Sequence, residues 1–305
     1  MQPSGAGREA RLAFSIPITM KKIVTIIITL SLVGFLIYAV TFQKKEIPVE
    51  KPGRVVATPA YEKYFGAAPS VDKGLAYAFV IYFPSSKTPG KVVPFPFFTF
   101  DEGSLRKVAI ERLLGGMDTG SYQGEFIPFP NGSRLIAISD DQGTVTVNLG
   151  KELDSSHEAA AAYALALTLR QFKGVKAIRV QAEGKESPLS ALVIKADDGV
   201  VQNPSPPRLL SVTAMRDRGA KEIEEVNAFF DRPVEVRELK LLSKDGQPFA
   251  GDLYHSVFDM AAVLKPKDPS QFKERMPIKV RWKVVDKLGR QAEGDSDMML
   301  EVKGH

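Results

Sequence analysis

The amino-acid sequence predicts an α+β chain in which an N-terminal transmembrane helix precedes a two-helix-on-sheet domain and a C-terminal β-sandwich. Three observations carry that reading. Residues 23–42 form an apolar run without a charged side chain. Residues 72–200 alternate strand-like and helix-like periodicity, and residues 208–305 show period-two alternation with almost no helical pattern.

At about 1.5 Å rise per residue, the run IVTIIITLSLVGFLIYAVTF spans a hydrocarbon core of about 30 Å. Lys21-Lys22 precede it and Lys44-Lys45 follow. Basic residues are balanced on its two sides, so orientation rests on the charged-then-apolar order of a secretory signal, which keeps the N-terminus inside. The run is longer than a usual signal core and no A-x-A-like site ends it. Residues 20–45 are therefore expected to be an uncleaved signal-anchor. That makes the chain a single-pass protein of the cytoplasmic (inner) membrane with its later domains extracytoplasmic. The sequence has no cysteine, which excludes a lipidated cysteine and disulfides. Residues 1–19 are expected to be a disordered N-terminus, with Met20 a candidate start.

The chain carries 41 basic and 36 acidic residues, for a net charge of +5. The whole surplus lies before residue 46, around the apolar run. A nucleic-acid binder needs a basic footprint on its binding domain, and the overall charge of residues 46–305 supplies none.

Residues 46–71 are rich in Pro, Lys and Glu and read as a stalk. Residues 201–207, containing Asn203-Pro-Ser-Pro-Pro207, read as a stiff linker. Between them lies the first domain, residues 72–200. Residues 76–83 and 92–100 are β-branched and aromatic, with Pro94 and Pro96 marking a sheet edge or bulge. Asp101 is expected to cap a helix whose apolar stripe is Leu105, Val108, Ala109 and Leu113, stopped by Gly115-Gly116. Residues 135–139 and 144–149 flank Asp140-Asp-Gln-Gly143 as a hairpin. Ser155 and Glu158 form a capping-box pattern before AAAAYALALTLRQF, a helix apolar on most of its circumference and so expected to be buried. A strand at 177–182 completes two helices on one sheet. In residues 208–305, Ile278, Val280, Trp282 and Val284 alternate with Lys279, Arg281 and Lys283. Strands at 234–242, 253–264 and 298–302, separated by turn residues, extend the pattern to a sandwich.

The sequence offers no catalytic residue, metal ligand or cofactor site. His157, His255 and His305 do not share ligand spacing. Ser104-Leu-Arg-Lys107 matches the S-x-x-K pattern of acyl enzymes, but its S-D-N and K-T-G partners are missing, and an exposed first helical turn explains it better. Asp140-Asp141 and Asp197-Asp198 precede glycines and read as turns. One feature suggests binding. Phe95, Phe97, Phe98 and Phe100 form a dense aromatic group near Phe126 and Phe129. About half of these are expected in the core, and an exposed remainder would be a patch for a protein or glycan partner.

The order of motifs resembles a known family. FVIYFP at 79–84, DEGSLRKVAIERLLGG at 101–116, IPFPNGSRLIAISDDQGTVTVNLGKEL at 127–153 and TLRQFKGVKAIRV at 168–180 are similar to the GerMN domain, named from bacterial spore-germination proteins. The chain departs from the family pattern at Gly116-Met117, where Gly-Pro is usual, and at Glu183-Gly184. The resemblance implies a small α+β association module without known catalytic residues, in bacteria that sporulate and in bacteria that do not. Phe230-Asp-Arg-Pro233-Val234 resembles bacterial immunoglobulin-like domains. The expected function is thus a non-enzymatic cell-envelope protein that associates with an envelope protein or with itself. Binding of peptidoglycan or another polysaccharide is the alternative.

Overall fold

The structure, a computed structural model, describes residues 53–117, 120–152 and 158–304. The expected membrane helix at 23–42, residues 1–19, the start of the stalk and the capping Ser155 lie outside the described residues. Among the described residues no helix is long and apolar enough to cross a membrane.

The stalk expected over 46–71 is folded in its second part. Strand β1 (Arg54–Ala57) pairs in parallel with β2 (Leu75–Pro84), and helix α1 (Pro59–Phe65) follows it directly. Thr58 caps α1 by accepting from the Tyr61 N–H, and Pro59 sits in the first turn, where its missing N–H costs nothing. Tyr61, Tyr64 and Phe65 fall at i, i+3 and i+4, so one face of this short helix is buried. That apolar face, set among Lys and Glu in the sequence, turns the expected stalk into core.

β2 also pairs antiparallel with β3 (Val92–Thr99), which is the sheet edge that Pro94 and Pro96 require. Helix α2 (Leu105–Gly115) starts four residues after Asp101, with Ser104 at the cap position and no side-chain cap bond. It buries Ala109, Ile110 and Leu113, while Leu105 and Val108 are only partly covered. Next come β4 (Leu135–Asp141) and β5 (Thr144–Leu149), an antiparallel hairpin with a bulge between Leu135 and Ala137. Helix α3 (Glu158–Arg170) returns the chain so that β6 (Ala177–Ala182) lies parallel to β5, and β7 (Lys185–Glu186) and the short helix α4 (Leu189–Val193) close the unit.

The single sheet expected here is two: β1-β2-β3 and β4-β5-β6-β7. α3 is the reason. It touches β2, β3 and β6 as well as α2 and α4, and its alanines let it approach all of them closely. It also finishes the first sheet. β1 stops at Ala57, and beyond it the Tyr82 N–H donates to Thr168 Oγ1 and the Val80 N–H to Gln171 Oε1, at 3.2 and 2.8 Å. Side chains from the end of α3 thereby continue a ladder that β1 leaves open.

The remaining strands are β8 (Leu209–Arg216), β9 (Glu225–Phe230), β10 (Val234–Leu242), β11 (Gly251–His255), β12 (Ala261–Pro266), β13 (Pro277–Asp286), β14 (Gln291–Met299) and β15 (Glu301–Gly304). They form a five-stranded sheet, β11-β12-β9-β8-β15, and a three-stranded one, β10-β13-β14, around a second core that includes Phe230, Leu239, Val280 and Trp282. This two-sheet arrangement is consistent with an immunoglobulin-like sandwich. The strand expected at 253–264 is two strands broken by a tight turn at 256–260. From residue 53 onward the described residues cluster as one compact unit.

Candidate functional site

The four phenylalanines do not form one exposed patch. Strand alternation and the second core divide them. Phe95 is 4% exposed and packs edge-on against Tyr122 and Phe126, with centroids 5.1 and 5.2 Å away. Phe97 leans on Phe79 at 5.3 Å, and the Arg112 guanidinium lies 5.3 Å from its ring centroid. Phe98 stacks on Phe258 at 4.5 Å with 10° between planes. Phe100 is 56% exposed and sits 5.5 Å from the same Phe258.

Phe258 belongs to the second core's side of the molecule and has φ 64, followed by Asp259 at φ 54. Two consecutive non-glycine residues in the left-handed region cost of order 1–3 kcal/mol each. Ser256 holds them: its carbonyl accepts from the Asp259 N–H at 3.1 Å and its Oγ from the Ala261 N–H at 2.8 Å. The strained turn aims Phe258 at Phe98. Beside this stack runs an apolar groove of about 380 Å³, walled by Pro96, Phe97, Phe98, Arg112, Met117 and Met260. Met260 comes from the β-rich half and the rest from the first half, so only one part of the wall depends on the second half.

A polar seam joins them. Asp231 and Arg232 follow β9, and both are buried, Arg232 with its side chain 3% exposed. Arg232 grips Asp231 with Nε to Oδ1 at 2.9 Å and Nη2 to Oδ2 at 2.7 Å. Asp231 also accepts from the Tyr122 hydroxyl at 2.7 Å and the Arg208 N–H at 3.1 Å. On the other flank Arg232 Nη1 lies 3.7 Å from Asp286, which takes the Arg290 Nε at 2.6 Å, while Arg290 Nη2 donates to the Tyr64 carbonyl at 2.8 Å. Burial pulls the Arg232 guanidinium down, but the hydrogen bonds and charge of Asp231 outweigh it and its pKa stands above the ordinary value. Burial, then the Asp231 charge, pushes the Tyr122 phenol well up. Arg208 stacks 4.3 Å from the Tyr122 centroid and donates to Glu125 at 2.7 Å, and Lys87 pairs with Glu125 at 2.9 Å. Against the effect of burial, those two cations hold the Glu125 carboxyl below its usual range.

The seam is tight enough to exclude a methyl group. Gly120 has φ +53, and a Cβ there would lie 2.2 Å from the Leu210 carbonyl oxygen. Gly120→Ala is expected to destabilise the protein by roughly 1–3 kcal/mol through this backbone clash. Thermal unfolding of the variant checks it.

The remaining sequence candidates occupy ordinary structural positions. Ser104 Oγ donates to Asp101, and Lys107 lies 3.9 Å from Glu111. Asp140 accepts from the Gly143 N–H at 2.7 Å and pairs with Arg106, and Asp197 accepts from the Gly199 N–H at 2.8 Å, both as turn residues. Sequence reasoning missed Arg112, Phe258, Met260 and the Asp231-Arg232 pair. The last left a readable signal, since two opposite charges stand between Phe230 and Pro233 in an otherwise apolar stretch.

Residues 80–188 match the family model "Germane: Sporulation and spore germination". This segment is a Germane domain. It runs from within β2 to just before α4, the part of the chain that supplies most of the groove. Among solved structures, the first GerMN domain of the sporulation protein GerM from Bacillus subtilis is similar at 18% identity, covering 35% of this chain and 83% of that one, with a TM-score of 0.30. The tandem GerMN domains of the same protein are similar at 14% identity, over 56% of this chain and 57% of that one, TM-score 0.31. PcoC, a methionine-rich copper resistance protein from Escherichia coli, is similar at 16% identity, over 32% of this chain and 100% of that one, TM-score 0.23. At these TM-scores the structural likenesses carry no weight for function. No curated protein matches the chain.

Proposed function

We propose that the chain is a non-enzymatic, single-pass protein of the bacterial cell envelope that captures a protein partner in the groove of its Germane domain. The observation that carries this reading is the composite groove, an apolar channel open to solvent with one cation, Arg112, on its wall. Exposed apolar surface of this kind marks interaction sites, and the arginine fits a partner segment that sets an acidic residue beside apolar ones. The apolar run at 23–42 supports anchoring in the cytoplasmic membrane with the folded part outside. The family description supports a link to sporulation and germination.

Arg112→Glu places a negative charge where the partner's acid would sit. Arg112 is exposed in the last turn of α2, so the variant should lose only about 1 kcal/mol of stability while partner capture falls at least tenfold, read by photo-crosslinking from position 117 in intact cells. Equal capture by wild type and variant would overturn the groove assignment.

A second cavity of about 310 Å³ favours the alternative of peptidoglycan or polysaccharide binding. Its wall includes Gln202, Asn203, Ser205 and Arg208, the amides, hydroxyl and cation of a kind that hold sugar hydroxyls. Co-sedimentation of the protein with isolated cell wall distinguishes this reading, because it would survive Arg112→Glu.

A further inference from the structure

We infer that β11 is a self-association edge, by which two copies of this chain join their five-stranded sheets about a twofold axis. The edge shares no residue with the groove.

Every open sheet edge is a template for another strand, and folded proteins usually block it with proline, a bulge or charge. Here β3 carries Pro94 and Pro96, β4 a bulge and Asp140-Asp141, and β10 a bulge between Val236 and Glu238. β14 carries Glu293, Asp295 and Asp297, and β15 carries Glu301 and Lys303. β1 and β7 are short. β11 has no proline and pairs with β12 without a register shift, and its one carboxylate is Asp252. It also carries apolar side chains in the open. Leu253 is 53% exposed, Tyr254 45% and Val257, just past its end, 63%.

The free peptide groups can be assigned. The Lys267 N–H donates to the Ala250 carbonyl and the Ser256 N–H to the Ala261 carbonyl, both at 2.9 Å. In an antiparallel pair the residues that face the neighbour alternate, so even-numbered residues from 250 to 256 face β12. The N–H and C=O of Gly251, Leu253 and His255 therefore point away from the sheet. Leu253 stands opposite Leu264, a residue of the second core, and cross-strand partners share a face. Its side chain continues the inner face of the sheet past its last strand.

The occupant that fits is a second β11 running antiparallel, with Leu253 opposite its own copy. Gly251 then meets His255 and Asp252 meets Tyr254, so no like charges oppose each other. A parallel second copy would set Asp252 beside Asp252. The antiparallel pairing closes as a twofold dimer and offers about six backbone hydrogen bonds.

The absence of cysteine makes the test direct. In a hydrogen-bonded antiparallel pair the facing Cα atoms lie about 5.5 Å apart, within the roughly 4.4–6.8 Å that a disulfide spans. Leu253→Cys in the full-length chain, oxidised in native membranes, is expected to give a covalent dimer in at least tenfold higher yield than Leu288→Cys, an exposed position on the β13–β14 turn. Leu253→Lys should weaken dimerisation at least tenfold with an unchanged melting temperature, and Arg112→Glu should leave the cross-link yield untouched. Three results would each overturn the inference: equal yields at positions 253 and 288, a dimer that persists in Leu253→Lys, or a disulfide from the Leu253→Cys variant to a different protein in place of its own copy.

Discussion

Asp231→Ala is expected to lower stability by about 3–5 kcal/mol, because it breaks a buried ion pair from one side. The carboxylate accepts four hydrogen bonds, two from Arg232, one from the Tyr122 hydroxyl and one from the Arg208 N–H. Its removal leaves a buried guanidinium whose other anion, Asp286, sits at 3.7 Å and is already engaged by Arg290. A buried charge without its partner is costly, whereas removing both charges is cheap when the space is refilled. Urea unfolding of Asp231→Ala and of the double variant Asp231→Leu with Arg232→Met measures this. The double variant should recover most of the loss, and a double variant as unstable as the single one would show that shape, not charge, holds the seam.

Alkaline pH should have an effect of similar size. Tyr61, Tyr82 and Tyr122 are buried, and burial raises all three phenols above their ordinary 10.0. A phenol that stays protonated in the folded state but ionises when unfolded stabilises fully below its unfolded pKa, and that stability is lost as pH rises above about 10. Each group then contributes a slope of about 1.4 kcal/mol per pH unit. Between pH 9 and pH 11 the three together should remove about 4 kcal/mol, and Tyr82→Phe should reduce the slope by about a third. All three belong to the first core, and Tyr122 also bonds Asp231 across the seam. Urea midpoints at the two pH values check this, and equal midpoints would contradict it.

Much of the fold is legible in the sequence because it is local. β13 shows the period-two alternation on its face, with Ile278, Val280, Trp282 and Val284 inward and the basic residues outward. The hairpin of β4 and β5 follows from Asp140-Asp-Gln-Gly143, whose Gly143 takes the positive φ that its turn needs. The apolar circumference of α3 implies burial, but a single chain pattern does not say what surrounds a helix, and so two sheets read as one. α1 is also legible in principle, through Thr58-Pro59 and the aromatic spacing after it, but the charged residues around it dominate the composition of the segment. The groove and seam are not legible in this sense. Tyr122 and Asp231 are 109 positions apart, and Phe98 meets Phe258 only because a strained turn directs it there. The aromatic density at 95–100 locates one wall of the groove and leaves Arg112 and Met260 unseen.

The two cores lie in one compact unit and are expected to unfold as one cooperative body. Each half carries its own reporter. The described α-helices all lie before residue 194, and the one tryptophan, Trp282, lies in the second core. In equilibrium urea unfolding, loss of helical circular dichroism and the change in Trp282 fluorescence should share one midpoint, and Asp231→Ala should move both together. Two separate transitions, with only the fluorescence midpoint moved by Asp231→Ala, would contradict it.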